Sequence, residues 1–253
     1  MKKNCLLCFL LFFSCHSALA GESLDSLLNV LDKTIKEADT YVQIKENKLH
    51  ELKKEARKTP PFSVERYNLN NDIYLEYKAY SSDSALHYLN ENMLLARQLN
   101  DKERELKIQL ELSYLLSSIG MYMEAADILN SIDRQTLPSS LLGHYYTCYE
   151  HVYFEAGAAQ PRYKMFASRY VKLSHAYRDS MQITLDPSSA TYLWLRETQL
   201  REAGKYDEAL EFSDRRLAEA SFGTPQYALV AYQRFRLFES MGKKDEHLYY
   251  LVL

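Results

Sequence analysis

From Leu24 onward, Leu28, Leu31, Ile35, Ala38, Val42, Lys45, Leu49, Leu52 and Ala56 follow one another in alternating steps of four and three, and only Lys45 is not apolar. That spacing is the seam of an amphipathic helix. Thr59-Pro60-Pro61 should end it, because a proline drives its predecessor out of helical geometry, and Lys53, Lys54, Arg57 and Lys58 suit the negative end of the helix. Unbroken, such a helix would extend roughly 50 Å. Ile35 and Val42 at a positions with Leu24, Leu31 and Leu52 at d positions form the arrangement of a parallel two-stranded coiled coil. The flanking e positions Asp25, Asp32, Asp39 and Glu46 face Leu27, Thr34, Tyr41 and Lys48, so charge pairing between chains is nearly absent. Two readings stay open: a homodimer through Leu24–Ala56, or packing of this helix on the chain's own repeats, with Leu27 and Tyr41 widening its stripe.

Beyond Pro61 the apolar period predicts helices at Val64–Ala79, Ser84–Leu99, Lys102–Ser118, Met123–Ser131, Ser139–Ala156, Tyr163–Ile183, Pro187–Ala203, Tyr206–Ala220, Pro225–Met241 and Asp245–Leu253. Asp186-Pro187 and Thr224-Pro225 each place a capping side chain before a proline at the first helical position. Alternation long enough for a strand is absent. Glu202-Ala203-Gly204-Lys205-Tyr206-Asp207-Glu208-Ala209-Leu210 reads as the hinge of an αα-hairpin, with Gly204 free to take a positive φ and Ala209 small enough for the helices to approach. Gly120-Met121-Tyr122-Met123-Glu124-Ala125 repeats it, and Gly242 to Leu248 repeats it with the tyrosine and alanine lost. Weaker copies end at Ala85 and Ala167. The key positions Ala85, Ala125, Ala167, Ala209 and His247 are 40, 42, 42 and 38 residues apart. This pattern resembles a tetratricopeptide repeat array with intervals longer than the usual ~34 residues. The predicted fold is all-α: a solenoid of αα-hairpins over 62–253, preceded by one long helix over 21–59.

Composition adds a compartment. Residues 1–20 hold Lys2 and Lys3, the apolar run Cys5–Phe13 and the small-residue ending Ala18-Leu19-Ala20, with no acidic residue, as in a secretory signal peptide cleaved after Ala20. A competing reading takes Phe12-Phe13-Ser14-Cys15 as a lipoprotein signal that leaves Cys15 as a lipidated terminus. Cleavage after Ala20 removes Cys5, Cys8 and Cys15, leaving Cys148 unable to form an internal disulfide. It also leaves 29 basic against 34 acidic residues, a formal charge of −5, so no net basic field draws this portion to nucleic acid. The terminal Leu248-Tyr249-Tyr250-Leu251-Val252-Leu253 is apolar throughout, where a solenoid needs a polar cap, and reads as a repeat cut short.

The leader, the Leu-Asp-Lys-Thr-Ile and Tyr-Val-Gln-Ile-Lys-Glu wording of the long helix, Tyr77-Lys78-Ala79-Tyr80 before Asp83-Ser84-Ala85, Asp127 to Ile132, and Tyr177-Arg178-Asp179-Ser180 together resemble a bacterial family of membrane-bound regulators. Its members carry an envelope-facing tetratricopeptide region, one transmembrane helix, a cytoplasmic coiled coil and a C-terminal region like a helix-turn-helix regulator. The resemblance implies that this chain is the periplasmic input half of such a regulator. The alternative is a complete exported lipoprotein that captures a glycan or other small ligand.

Chemistry is sparse. Phosphate-cradling glycine loops, Gly-x-Ser-x-Gly and His-Glu-x-x-His are absent, which argues against an enzyme, and no cofactor is implied. His144, Cys148 and His151 stand at i, i+4 and i+7, all competent metal ligands. They lack a fourth ligand nearby, and Tyr145, Tyr146, Tyr149 and Tyr153 crowd the same helix, so packing is the favoured reading and no metal is assigned. Tetratricopeptide arrays bind partners on the concave face lined by the first helix of each hairpin. The repeat alignment places Tyr67, Tyr74, Tyr77, Lys107, Tyr114, Trp194, Thr198, Arg201, Tyr232 and Arg236 there, a set rich in the aromatic and arginine anchors of recognition surfaces. The partner expected in this groove is a protein, a peptide or a cell-wall component. The competing reading has several of these side chains packing between repeats.

Overall fold

The computed structural model describes residues 24–159 and 162–252. Residues 1–20, which the sequence reads as a signal peptide, and the candidate lipid-bearing Cys15 lie outside the described residues. The helices are α1 (Leu24–Lys36), α2 (Ala38–Ala56), α3 (Val64–Tyr77), α4 (Ser82–Gln98), α5 (Lys102–Ser118), α6 (Tyr122–Ser131), α7 (Ser139–Ala158), α8 (Lys164–Thr184), α9 (Ala190–Glu202), α10 (Tyr206–Glu219), α11 (Pro225–Met241) and α12 (Lys244–Val252). The described residues contain no strand, and no described helix is long and apolar enough to cross a membrane. From α3 onward successive helices pair as α3/α4, α5/α6, α7/α8, α9/α10 and α11/α12, so the fold is the all-α array of hairpins that the spacing predicts.

The hinges repeat one device. Gly120, Gly204 and Gly242 have φ of 90°, 73° and 70°, and after each the next amide reaches back to close the preceding helix: Met121 N–H donates to the Leu116 carbonyl at 2.9 Å, Lys205 to Leu200 at 2.9 Å and Lys243 to Phe238 at 3.0 Å. Those bonds satisfy carbonyls that a helix end leaves without an intrahelical donor. The turn between α4 and α5 does the same without glycine, using Asn100 at φ 53° and an Asp101 to Ala96 bond of 2.9 Å. Just past the hinges, Ala85, Ala125 and Ala209 are fully buried, and Ser113 Oγ donates to the Ala125 carbonyl at 2.9 Å across the helix pair. A side chain larger than a methyl would hold the two helices apart there.

Two local expectations are corrected. Pro187 does not open α9. Asp186 accepts from the Ser188 amide and hydroxyl, each at 2.8 Å, which forms a turn, and Ser189 becomes the cap by accepting from the Tyr192 amide at 3.2 Å. A short side chain that can satisfy a turn locally competes with its own capping role. Thr224 does cap α11, accepting from the Tyr227 amide at 3.2 Å with Pro225 at the first position. The Leu24–Ala56 stretch is divided at Glu37, whose φ of −93° and ψ of 6° leave helical values for one residue.

The core is continuous along α2 to α7, through Leu49, Tyr74, Leu89, Leu110, Leu129 and Cys148, with Leu86 and Leu112 packed against both of its clusters. Leu195 of α9 joins it, and Leu210 and Met241 link the clusters of the last two hairpins. Only part of the long seam is used. Leu49 and Ala56 are buried against the first hairpin, and α1 lies beside α12 with Leu27 buried, but every residue of 32–44 is exposed. We expect Ala209→Leu to destabilise the fold by about 1–3 kcal/mol through overpacking at the hinge. Urea unfolding measures it; an unchanged midpoint would contradict the close approach.

Candidate functional site

The first helices α3, α5 and α7 are joined by one polar cluster. Glu111 of α5 accepts from the Tyr74 hydroxyl of α3 at 2.7 Å and from Nζ of Lys78, the residue that caps the end of α3, at 2.9 Å, while His144 Nε2 of α7 lies 3.6 Å from its other oxygen. Lys78 Nζ also sits 4.6 Å from the centre of the Tyr114 ring. Tyr114 stacks on His151 with centroids 4.0 Å apart, and Ser118 Oγ lies 2.9 Å from His151 Nε2. These side chains recur at helical spacing, Tyr74 and Lys78, then Lys107, Glu111, Tyr114 and Ser118, then His144 and His151, so each helix turns a single stripe toward its neighbour.

Burial decides the protonation of this cluster. On its own it would raise the Glu111 carboxyl, but Lys78, with His144 and the Tyr74 hydroxyl, outweighs it and holds the group below the usual range. Burial pushes His144 down, with Glu111 pulling against it and Lys78 and Lys107 adding to it. Burial, with Lys78 adding, takes His151 down to about 4, and burial chiefly takes Tyr114 up to about 12. Near neutral pH the cluster therefore holds an ionised Glu111 and two neutral imidazoles.

The possible metal ligands take other partners. Cys148 is fully buried, its thiol donates to the Leu110 carbonyl at 3.3 Å, and burial pushes its pKa well up, which disfavours the thiolate a metal needs. His144 is turned to Glu111 and His151 to Ser118 and Tyr114. Among the described residues no group of three His, Cys, Asp or Glu is gathered as a metal site.

The predicted groove residues divide. Tyr74, Lys107 and Tyr114 come together in the cluster, Tyr74 buried at its base, Tyr114 half-buried and Lys107 exposed. Tyr67 is buried, with the Arg104 guanidinium 5.1 Å from its ring. Tyr77 points elsewhere, accepting from Lys53 of α2 at 2.6 Å and stacking on Tyr88 of α4 at 6.0 Å. These buried rings serve the packing that the sequence left as the competing reading. Trp194 packs, half-buried, on the central core, Thr198 is buried and Arg201 is half-exposed near Glu197. Tyr232 and Arg236 are exposed, with Arg236 Nη1 3.5 Å from the Tyr232 hydroxyl. Lys78 and Glu111, central to the cluster, escaped sequence reasoning, although Lys78 follows Tyr74 by four residues and Glu111 follows Lys107 by four.

The His151 environment fixes a pH dependence. Its folded pKa lies below the ordinary 6.5, so the unfolded chain takes up the proton first on acidification, and stability present above pH 6.5 is lost as pH falls toward about 4. We expect the urea midpoint to fall across that window and to fall less in His151→Phe. An equal fall in both proteins would contradict this placement of the ring.

Comparison with known proteins follows the same fold. The profile described as the SusR N-terminal TPR domain matches residues 35–253. A search of curated proteins finds no significant match. With more than four-fifths of its length matched, the chain belongs to the family of SusR N-terminal tetratricopeptide (TPR) domains.

Proposed function

We propose that this tetratricopeptide domain is the non-catalytic input half of an envelope-located, membrane-bound regulator, and that it holds a protein or peptide against the face of α3, α5 and α7. Tetratricopeptide domains are commonly protein-interaction modules, and the match over 35–253 supports that class for this chain. The envelope location rests on the Lys2 to Ala20 leader pattern, and the regulatory output on the resemblance carried by the long helix and the Tyr177-Arg178-Asp179-Ser180 motif.

One observation carries the reading: the polar cluster is satisfied at its base and open at its rim. Lys78 and the Tyr74 hydroxyl satisfy Glu111, and the neutral His144 of α7 lies against the same carboxylate, which ties three helices to one point. Lys107 stands exposed beside them, with no ion pair among the described residues, and the half-buried Tyr114, its ring stacked on His151 with Lys78 beside it, borders that cation. A cation and an aromatic held on a rigid base suit an extended segment carrying a carboxylate next to an apolar side chain. Trp194 and Arg201 extend the same layer of first helices toward the last hairpins.

A photo-crosslinker placed at position 107 in native cells tests this. The expected result is a discrete protein adduct, and Lys107→Glu should weaken binding of that partner about fivefold or more while the melting temperature stays unchanged. Absence of any protein adduct, or full binding by Lys107→Glu, would overturn the reading. Trp194→Ala serves as the contrast, since its ring packs on the core and its loss should lower stability.

A further inference from the structure

α8 carries a second surface, opposite in charge to the chain as a whole. Between Glu155 and Asp179 there is no acidic residue, yet Arg162, Lys164, Arg169, Lys172 and Arg178 fall there, in a protein of formal charge −3. Arg178 turns inward, donating to Glu150 at 2.8 Å and to Glu202 at 2.9 Å. The other four cations are exposed, and among the described residues none makes an ion pair. Lys164 and Lys172 are about 12 Å apart along the helix. Arg169 and Lys172, about 4.5 Å apart along the same helix, lie well inside the Debye length of about 8 Å at physiological salt, so those two charges act together, whereas Lys164 is largely screened from Lys172.

Long apolar side chains stand among these cations. Tyr163 is 64% exposed, Met165 74% and Ile183 85%. Met165, Lys172 and Ile183 lie at i, i+7 and i+18, one face of α8, while Ser174, Arg178 and Met181 are buried on the opposite face. A shallow, open depression on the outer face is bordered by Met165, Ser168, Arg169, Lys172 and Leu173, all from α8 itself.

We propose that the outer face of α8 docks on an anionic membrane surface, with Tyr163 and Met165 entering the headgroup layer and Arg162, Lys164, Arg169 and Lys172 meeting lipid phosphates. A folded acidic partner is selected by shape and by fixed hydrogen-bonding groups. The depression on this face is shallow and open, and its charges are the ends of long side chains that make no ion pair among the described residues. A fluid anionic layer requires only positive charge and protruding apolar length, and both are present. The surface is separate from the α3/α5/α7 face, so it stands whether or not that face binds a partner.

Sedimentation of the full chain with vesicles of mixed phosphatidylglycerol and phosphatidylcholine, against phosphatidylcholine alone, tests the proposal. R169Q/K172Q should lower partition onto the anionic vesicles about 25-fold, since each basic residue near such a surface is worth about fivefold. R162Q/K164Q should act in the same direction, K205Q/K244Q should have little effect, and high salt should abolish the difference. The leader residues are common to all four proteins, so their contribution cancels in the comparison. Equal partition of the wild type and both α8 variants would overturn the proposal, as would equal partition onto neutral and anionic vesicles. Binding to soluble polyglutamate that needs Arg169 and Lys172, without such binding to vesicles, would overturn it in favour of an acidic polypeptide partner.

Discussion

A carboxylate withdrawn from water on a first helix, and the cation that must reach it, is the constraint on which helix packing within and between the hairpins depends. Glu76 of α3 is met by Lys45 of α2 at 2.5 Å and Lys48 at 2.6 Å, Glu111 of α5 by Lys78 at the end of α3, Glu150 of α7 by Arg178 of α8, and Glu197 of α9 by Arg216 of α10 at 2.5 Å. Of these only Glu150–Arg178 and Glu197–Arg216 are fully buried, and removing one partner of such a pair leaves an uncompensated charge at a cost of about 3–5 kcal/mol. Apolar surface alone could tolerate one helix sliding over another; a charge pair fixes the offset. Arg178 carries the constraint across a seam, since it binds Glu150 of its own hairpin and Glu202 of the next.

Function follows from the same economy. The groups that lock α3, α5 and α7 together are polar side chains of first helices, and the stripe that supplies the lock continues to the surface as Lys107 and Tyr114. A partner there meets a base that is already satisfied and gives up little conformational freedom on binding. α8 represents the reverse case. Its inward face commits Arg178 to the lock, while its outward cations make no ion pair among the described residues.

The hairpins were legible because their signals are local. A glycine at the hinge and an alanine five residues beyond it lie within one stretch, and Gly120 and Gly204 with Ala125 and Ala209 suffice to show the period. Asn100 takes the same left-handed role without glycine, and Asp186 forms a turn where a cap was expected, since one short side chain can serve either purpose. The cluster was less legible. Tyr74 and Glu111 are 37 residues apart, and Lys78 and Glu111 33, so no periodicity within a helix connects them. Alignment of first helices found the layer that holds Tyr74, Lys107 and Tyr114, but it could not separate a ring facing the next hairpin from one facing its own, as Tyr77 does. The exposed span 32–44 shows the same limit: the seam from Leu28 to Val42 is evident, whereas what covers it is not encoded in its spacing.

A double-mutant cycle of Lys78→Met and Glu111→Gln, followed by urea unfolding near neutral pH, tests the central claim most directly. If the pair locks α3 to α5, each single substitution destabilises and the double variant recovers part of the loss, giving a coupling of about 1–3 kcal/mol. Additive effects within about 0.3–0.5 kcal/mol would contradict it, and would leave the first helices held by apolar packing alone.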